Sequence, residues 1–118
     1  MIVAGFGFRA KATVESLASA FAHAGGQADV FATAQDKARA NVFTRFAAGR
    51  RVAEIPSEAL AAQVTVTQSA ASQAARGTGS VAEAAALAAA GPCARLIVAR
   101  VVSDDGCATC ALAKGATP

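Results

Sequence analysis

The chain has no Trp and no Tyr, and only one His, three Cys and three Pro among its 118 residues. Each shortage closes off a class of function. Aromatic residues make up 5% of the sequence, all of them Phe, so the core must be built largely from alanine and aliphatic side chains. No basic stripe interleaved with aromatics is present to bind nucleic acid. An odd number of cysteines does not suggest a disulfide framework. Cys107-Ala108-Thr109-Cys110 has the CxxC spacing, but the segment reads as a strand, on which side chains three apart point to opposite faces and cannot share a metal. Cys93 and the single His23 complete no ligand set, and no Ser-His-Asp or Cys-His arrangement is legible. No apolar run approaches the roughly 18 residues of a membrane span, and the N-terminus lacks the basic and apolar regions of a secretory leader. The expectation is a cytoplasmic protein that engages neither membrane nor nucleic acid and carries no metal or cofactor.

What is present is a 54% hydrophobic composition with a formal net charge of +3, its cations dispersed apart from Arg50-Arg51. The length suits one domain with a single core. The domain is expected over residues 1–114, with 115–118 as a frayed tail. Residues 1–5 read as a short buried strand. A helix follows, capped by Thr13 and stopped at Gly25-Gly26. A second strand over 28–33 and a helix over 36–48 come next, then a strand over 51–55 and a short helix opened by Pro56-Ser57-Glu58. Residues 64–67 alternate like a strand, yet Thr67 can also cap a helix over 68–75. Ser80 and Glu83 have capping-box spacing at the start of a further helix ended by Gly91-Pro92. Strands over 95–102 and 107–114 are joined by Ser103-Asp104-Asp105-Gly106, a hairpin signal. This order predicts an α/β domain, a three-layer α/β/α sandwich around a mixed, mainly parallel sheet, with the C-terminal hairpin adding an antiparallel edge.

Two glycine turns carry the functional expectation. Gly5-Phe6-Gly7-Phe8-Arg9 and Gly77-Thr78-Gly79-Ser80 each read as delivering the chain into a helix start, where unpaired N–H groups and the helix dipole attract an anion. Arg9, Lys11 and Arg76 lie nearby. Asp36-Lys37, at the end of the second strand, could reach the crevice where open α/β sheets bind ligands. Gly5-x-Gly7-x-x-Ala10 also matches a dinucleotide fingerprint in letters, which makes a nucleotide-binding enzyme one alternative, but the ribose-binding acid expected after the second strand is missing. The Ser80–Glu83 spacing is explained by capping without invoking catalysis.

Taken together, the opening Val3-Ala4-Gly5-Phe6-Gly7-Phe8-Arg9, the Asp36-Lys37-Ala38 step, Ile55-Pro56-Ser57-Glu58-Ala59-Leu60, Thr67-Gln68-Ser69 and the block from Gly77-Thr78-Gly79-Ser80 through Glu83 to Leu87 resemble the CobE family. That domain also forms the C-terminal part of CbiG, in cobalamin (vitamin B12) biosynthesis. The resemblance implies a role at the corrin-ring stage. Its ligand would be a carboxylate-rich precorrin or corrinoid intermediate, and its partners other enzymes of the pathway. Full-length CbiG proteins open a lactone on a cobalt-precorrin but carry an additional N-terminal portion. For this chain such a hydrolase activity is therefore the alternative to binding and handing on the intermediate. Phe8 stands where many CbiG relatives have Cys, which argues against a thiol role there. The implied ligand site comprises Gly5, Phe6, Gly7, Phe8, Arg9, Lys11, Asp36, Lys37, Gly77, Thr78, Gly79 and Ser80.

Overall fold

The computed structural model describes residues 1–115, and of Ala75 and Arg76 it describes the backbone only. The expected frayed tail falls almost wholly outside these residues. Five strands and five helices follow one another as β1 (Ile2–Phe8), α1 (Val14–His23), β2 (Val30–Ala34), α2 (Asn41–Phe46), β3 (Arg51–Ile55), α3 (Ser57–Ala61), α4 (Ala70–Arg76), α5 (Val81–Ala90), β4 (Arg95–Val102) and β5 (Ala108–Lys114). They form one sheet in the order β3-β2-β1-β5-β4. β1, β2 and β3 run parallel, while β5 is antiparallel to both β1 and β4. The hairpin extends the sheet at its antiparallel end as expected. Its second strand, β5, lies inside the sheet beside β1, and its first strand, β4, forms the edge. The physical reason is burial: Ala111, Leu112 and Ala113 of β5 are all covered, whereas β4 alternates between exposed and partly covered residues.

The sheet's two faces are filled differently. Ala4 and Phe6 of β1 and Phe31 of β2 pack against α1 and α2, joining Leu17, Phe21 and Phe43 in one cluster. Phe6 sits at its centre, with the rings of Phe31 and Phe46 centred 4.9 and 5.3 Å away in edge-on geometry, an arrangement that favours aromatic pairs by about 0.5–1.5 kcal/mol each. Phe8 stacks on Phe43 at 5.8 Å, so all six Phe belong to this face. On the other face Val3, Val30 and Ala32 meet Leu60 of α3 and Ala84 and Ala85 of α5.

The most consequential departure from the sequence reading concerns Gly5 and Gly7. Both lie within β1, which continues to Phe8, and neither forms a turn into a helix. The dinucleotide fingerprint thus lacks its strand–turn–helix setting. A Cβ on Gly5 would fall on the Ala82 carbonyl oxygen and within 2.6 Å of the Ala86 nitrogen, so the glycine's close approach is to α5 of its own chain. The turn that does leave β1 is residues 9–12, closed by the Ala12 N–H donating to the Arg9 carbonyl at 3.0 Å. Thr13 then caps α1 as expected, in a reciprocal box with Ser16. The second predicted helix is shorter than 36–48. Residues 36–40 form turns before α2, and Asp36-Lys37 is no helix start.

Substituting Gly5→Ala should lower unfolding stability by about 1–3 kcal/mol, the cost of overpacking a filled contact. Urea denaturation measures it. An unchanged midpoint with an unchanged slope would mean that α5 is free to back away from β1.

Candidate functional site

A cleft of about 430 Å³ opens at the carboxyl ends of β1 and β4. This is the end of the sheet where open α/β folds place ligands. Gly7, Phe8 and Arg9 line it from β1, Ser80 and Val81 from the start of α5, Arg100 and Val102 from β4, and Gly106, Cys107 and Thr109 from the hairpin and β5. Ser69, Ala71 and Ser72, where α4 begins, complete it. Among these described lining residues two are cations and none is an acid. A second hollow of about 490 Å³ at the starts of α1 and α2 has Glu15 and Arg45 among its lining residues and so carries mixed charge.

Sheet topology brings the two glycine-bearing segments together only in part. Gly7, Phe8, Arg9 and Ser80 share the cleft. Gly7 keeps its floor open, since a Cβ there would come within 2.9 Å of Thr109 Oγ1. Phe6 is wholly buried in the aromatic cluster, and Gly5 is covered by α5. Lys11 is exposed on the β1–α1 turn and Asp36 on the turn after β2. Lys37 Nζ lies 5.1 Å from the ring centroid of Phe8, and so meets the cleft's aromatic wall without lining the cleft.

In the second segment, Gly77 adopts the left-handed conformation (φ 70°) that ends α4. The Thr78 side chain is buried, with no hydrogen-bond partner for its Oγ1 among the described residues. Gly79 has no positive φ. It is buried because residues 65–68 cross directly over it: a Cβ would fall on the Thr67 carbonyl and within 2.7 Å of Thr65 Oγ1. The side chain of Arg76 lies outside the described ones.

The structure also corrects the capping box at α5. Ser80 Oγ accepts from the Glu83 N–H at 3.2 Å, but the Glu83 carboxylate does not return to Ser80. It is fully buried and accepts from the Thr67 N–H at 2.9 Å, the Thr67 hydroxyl at 2.7 Å and the Arg100 N–H at 2.9 Å. Burial by itself would raise its pKa. The donors at Arg100, Thr67 and Val66 outweigh that and hold the carboxyl below its ordinary value. Glu83 thus ties the crossing segment to the strand that carries Arg100.

The hairpin is fixed to α1 in a similar way. Asp105 accepts from the Ser103 hydroxyl at 2.6 Å, the Ser16 hydroxyl at 2.5 Å and the Cys107 N–H at 3.0 Å, which brings its pKa down to about 2. Asp104 pairs with His23 at 2.8 Å. Cys107 stands half-buried at the cleft while Cys110 is buried in the phenylalanine cluster, and burial pushes its thiol up to about 12. Among the described residues no group of His, Cys, Asp and Glu is placed to hold a metal ion, and no helix is long and apolar enough to cross a membrane.

Sequence reasoning missed Arg100, Ser69, Ser72 and Thr109 as cleft residues. Strand alternation could have put Arg100 on one face of β4. Only the position of β4 beside β5 brings it into the same cleft as Arg9.

A glutamine at position 83 would present one acceptor oxygen and an NH₂ to a set of donors, so Glu83→Gln should cost about 1–3 kcal/mol near neutral pH. Because the folded-state pKa is depressed, Glu83's contribution is full above its unfolded pKa and is lost as pH falls through the folded one. Urea melts of both proteins from about pH 7 to about pH 3 should therefore show the gap narrowing at the acid end. A gap that widens with acid would contradict the assignment.

The family described as "Cobalamin synthesis G C-terminus" matches residues 2–113. The crystal structure of CobE, a protein from the cobalamin (vitamin B12) biosynthetic pathway, superposes with a TM-score of 0.83 at 28% identity, covering 100% of this chain and 92% of that one. The cobalamin biosynthesis protein chiG from Agrobacterium tumefaciens str. C58 gives a TM-score of 0.73 at 31% identity, covering 99% of this chain and 100% of that one. No curated protein sequence matches significantly.

Proposed function

The chain belongs to the cobalamin synthesis G C-terminus family, and from that premise we propose that its cleft binds a carboxylate-rich corrinoid or precorrin intermediate and hands it to other enzymes of the pathway. The observation that carries this reading is the sign of the cleft: Arg9 and Arg100 line it, no acid accompanies them among the described lining residues, and the start of the ten-residue α5 opens onto it. Acetate and propionate arms fringe a corrin ring. A guanidinium makes charge-assisted hydrogen bonds to such a carboxylate in a fixed fork geometry, and a helix N-terminus adds a favourable dipole.

The cleft is at the small end of the roughly 300–1,000 Å³ range for ligand pockets, so it suits one edge of the macrocycle with the rest reaching outward. Phe8 and Val102 supply apolar wall for the ring's flank. His23 is engaged with Asp104 and Glu83 with Thr67 and Arg100, so the groups best suited to proton transfer are committed elsewhere. This favours binding over the hydrolase alternative.

Titration calorimetry with cobyrinic acid, a corrinoid bearing free carboxylates, tests the reading. Arg9→Ala and Arg100→Ala should each weaken binding by about 1.5–3 kcal/mol, the worth of a hydrogen bond to a charged group, without a comparable loss of fold stability. Unchanged affinity in both folded variants would move the site elsewhere. Turnover of precorrin intermediates by the protein alone would replace the binding role with the hydrolase.

A further inference from the structure

The segment over residues 64–76 is attached to the rest of the protein differently from every other wall of the cleft. It turns Val64 and Val66 outward, at 90% and 73% exposure, and none of the described side chains of α4 is fully buried. Apolar burial therefore contributes little to holding it. Its described attachments are polar. The Ser69 N–H donates to the Gly79 carbonyl at 2.8 Å, and Thr67 gives both its N–H and its hydroxyl to the buried Glu83 carboxylate. Thr65 and Gln68 bond within the segment itself, through Thr65 Oγ1 to the Thr67 carbonyl and Gln68 Nε2 to the Thr65 carbonyl. The segment ends at Gly77, in a left-handed conformation. Its α4 end places Ser69, Ala71 and Ser72 on the cleft, where Ser72 Oγ is buried without a partner among the described residues.

We infer that residues 64–76 form a hinged wall of the cleft and that Glu83 is its latch, a positioning residue that sets the wall's distance from Arg100. One carboxylate holds both sides: one oxygen takes the Arg100 N–H of β4 together with the Thr67 hydroxyl, and the other takes the Thr67 N–H. Units with little buried apolar surface and polar anchorage open below the free energy of global unfolding. Releasing Thr67 leaves the wall held by the Ser69–Gly79 backbone bond near its α4 end, so it can swing, while α5 and β1 stay packed through Gly5 and the alanines. What the wall closes over rests on the corrinoid reading above. The latch itself does not.

Native-state hydrogen exchange across a series of urea concentrations tests the inference. In the wild-type protein, amides of residues 65–74 should exchange through an opening with weak urea dependence, ahead of those in β1, β2 and α5. Thr67→Val removes one donor to the latch and should speed exchange in this segment about tenfold. Thr67→Ser keeps the hydroxyl and should restore wild-type protection. Glu83→Gln should exceed the valine variant. Should it fail to fold, the Thr67 pair decides.

Exchange of the segment in step with the core, at the same urea dependence, would overturn the hinged wall. Equal exchange in the valine, serine and wild-type proteins would overturn the latch. With cobyrinic acid at saturation, exchange in the segment should slow in the wild-type protein, and binding that leaves it unchanged would also count against the wall. If cobyrinic acid does not bind at all, the corrinoid reading fails, and the urea series still decides the latch.

Discussion

The contact on which the rest of this structure depends is backbone against backbone, where α5 lies on β1 at Gly5. Helices ordinarily ride on a sheet at a distance set by the side chains between them. Here the missing Cβ at Gly5 lets the Ala82 carbonyl and the Ala86 nitrogen come down onto the strand. The alanines of α5 follow from the same requirement. Ala82, Ala84, Ala85 and Ala86 are all fully covered, and a larger residue at Ala86, whose Cβ itself meets the Gly5 position, would lift the helix. That seating fixes the start of α5 at the mouth of the cleft and sends the Glu83 side chain into the protein.

A sheet packed this tightly on one face needs bulk on the other. All six Phe lie on the α1–α2 side, around Phe6, where each large ring buries far more area than an alanine. The division lets each face do one task. The aromatic face supplies cohesion, and the alanine face supplies a rigid platform that aims a helix terminus. Phe8 links the two, since it stacks on Phe43 at one end of the aromatic cluster and lines the cleft.

The electrostatics of the cleft follow from how the acids are used. Glu83 and Asp105, the two carboxyls with depressed pKa values, face hydrogen-bond donors. Glu83 ties Thr67 to Arg100 within the fold, and Asp105 binds the hairpin to α1. Neither lines the cleft. Arg9 and Arg100 are thus left with no acid among the described lining residues, and the carboxylate-rich ligand proposed above is the chemistry that suits them.

Local sequence determined the features that depend on neighbours in the chain. The Thr13 cap, the Gly25-Gly26 stop, the Asp-Gly hairpin and the α5 boundaries all stand where short-range rules place them, because each is a matter of a few adjacent backbone groups. The sequence also carried the family and the α/β class, and of the residues it proposed for a ligand, Gly7, Phe8, Arg9 and Ser80 line the cleft. Only tertiary structure decided what the glycines and Glu83 do. Gly5 and Gly7 look the same whether they make room for a ligand or for a helix, and the difference lies in α5, some 75 residues further on. Glu83 has capping-box spacing, yet its carboxylate turns to Thr67 and Arg100, because a buried charge is held by the best set of donors within reach rather than by the nearest in sequence. Arg100 reaches the cleft because β5 inserts between β1 and β4, a pairing set by how much of each strand can be buried.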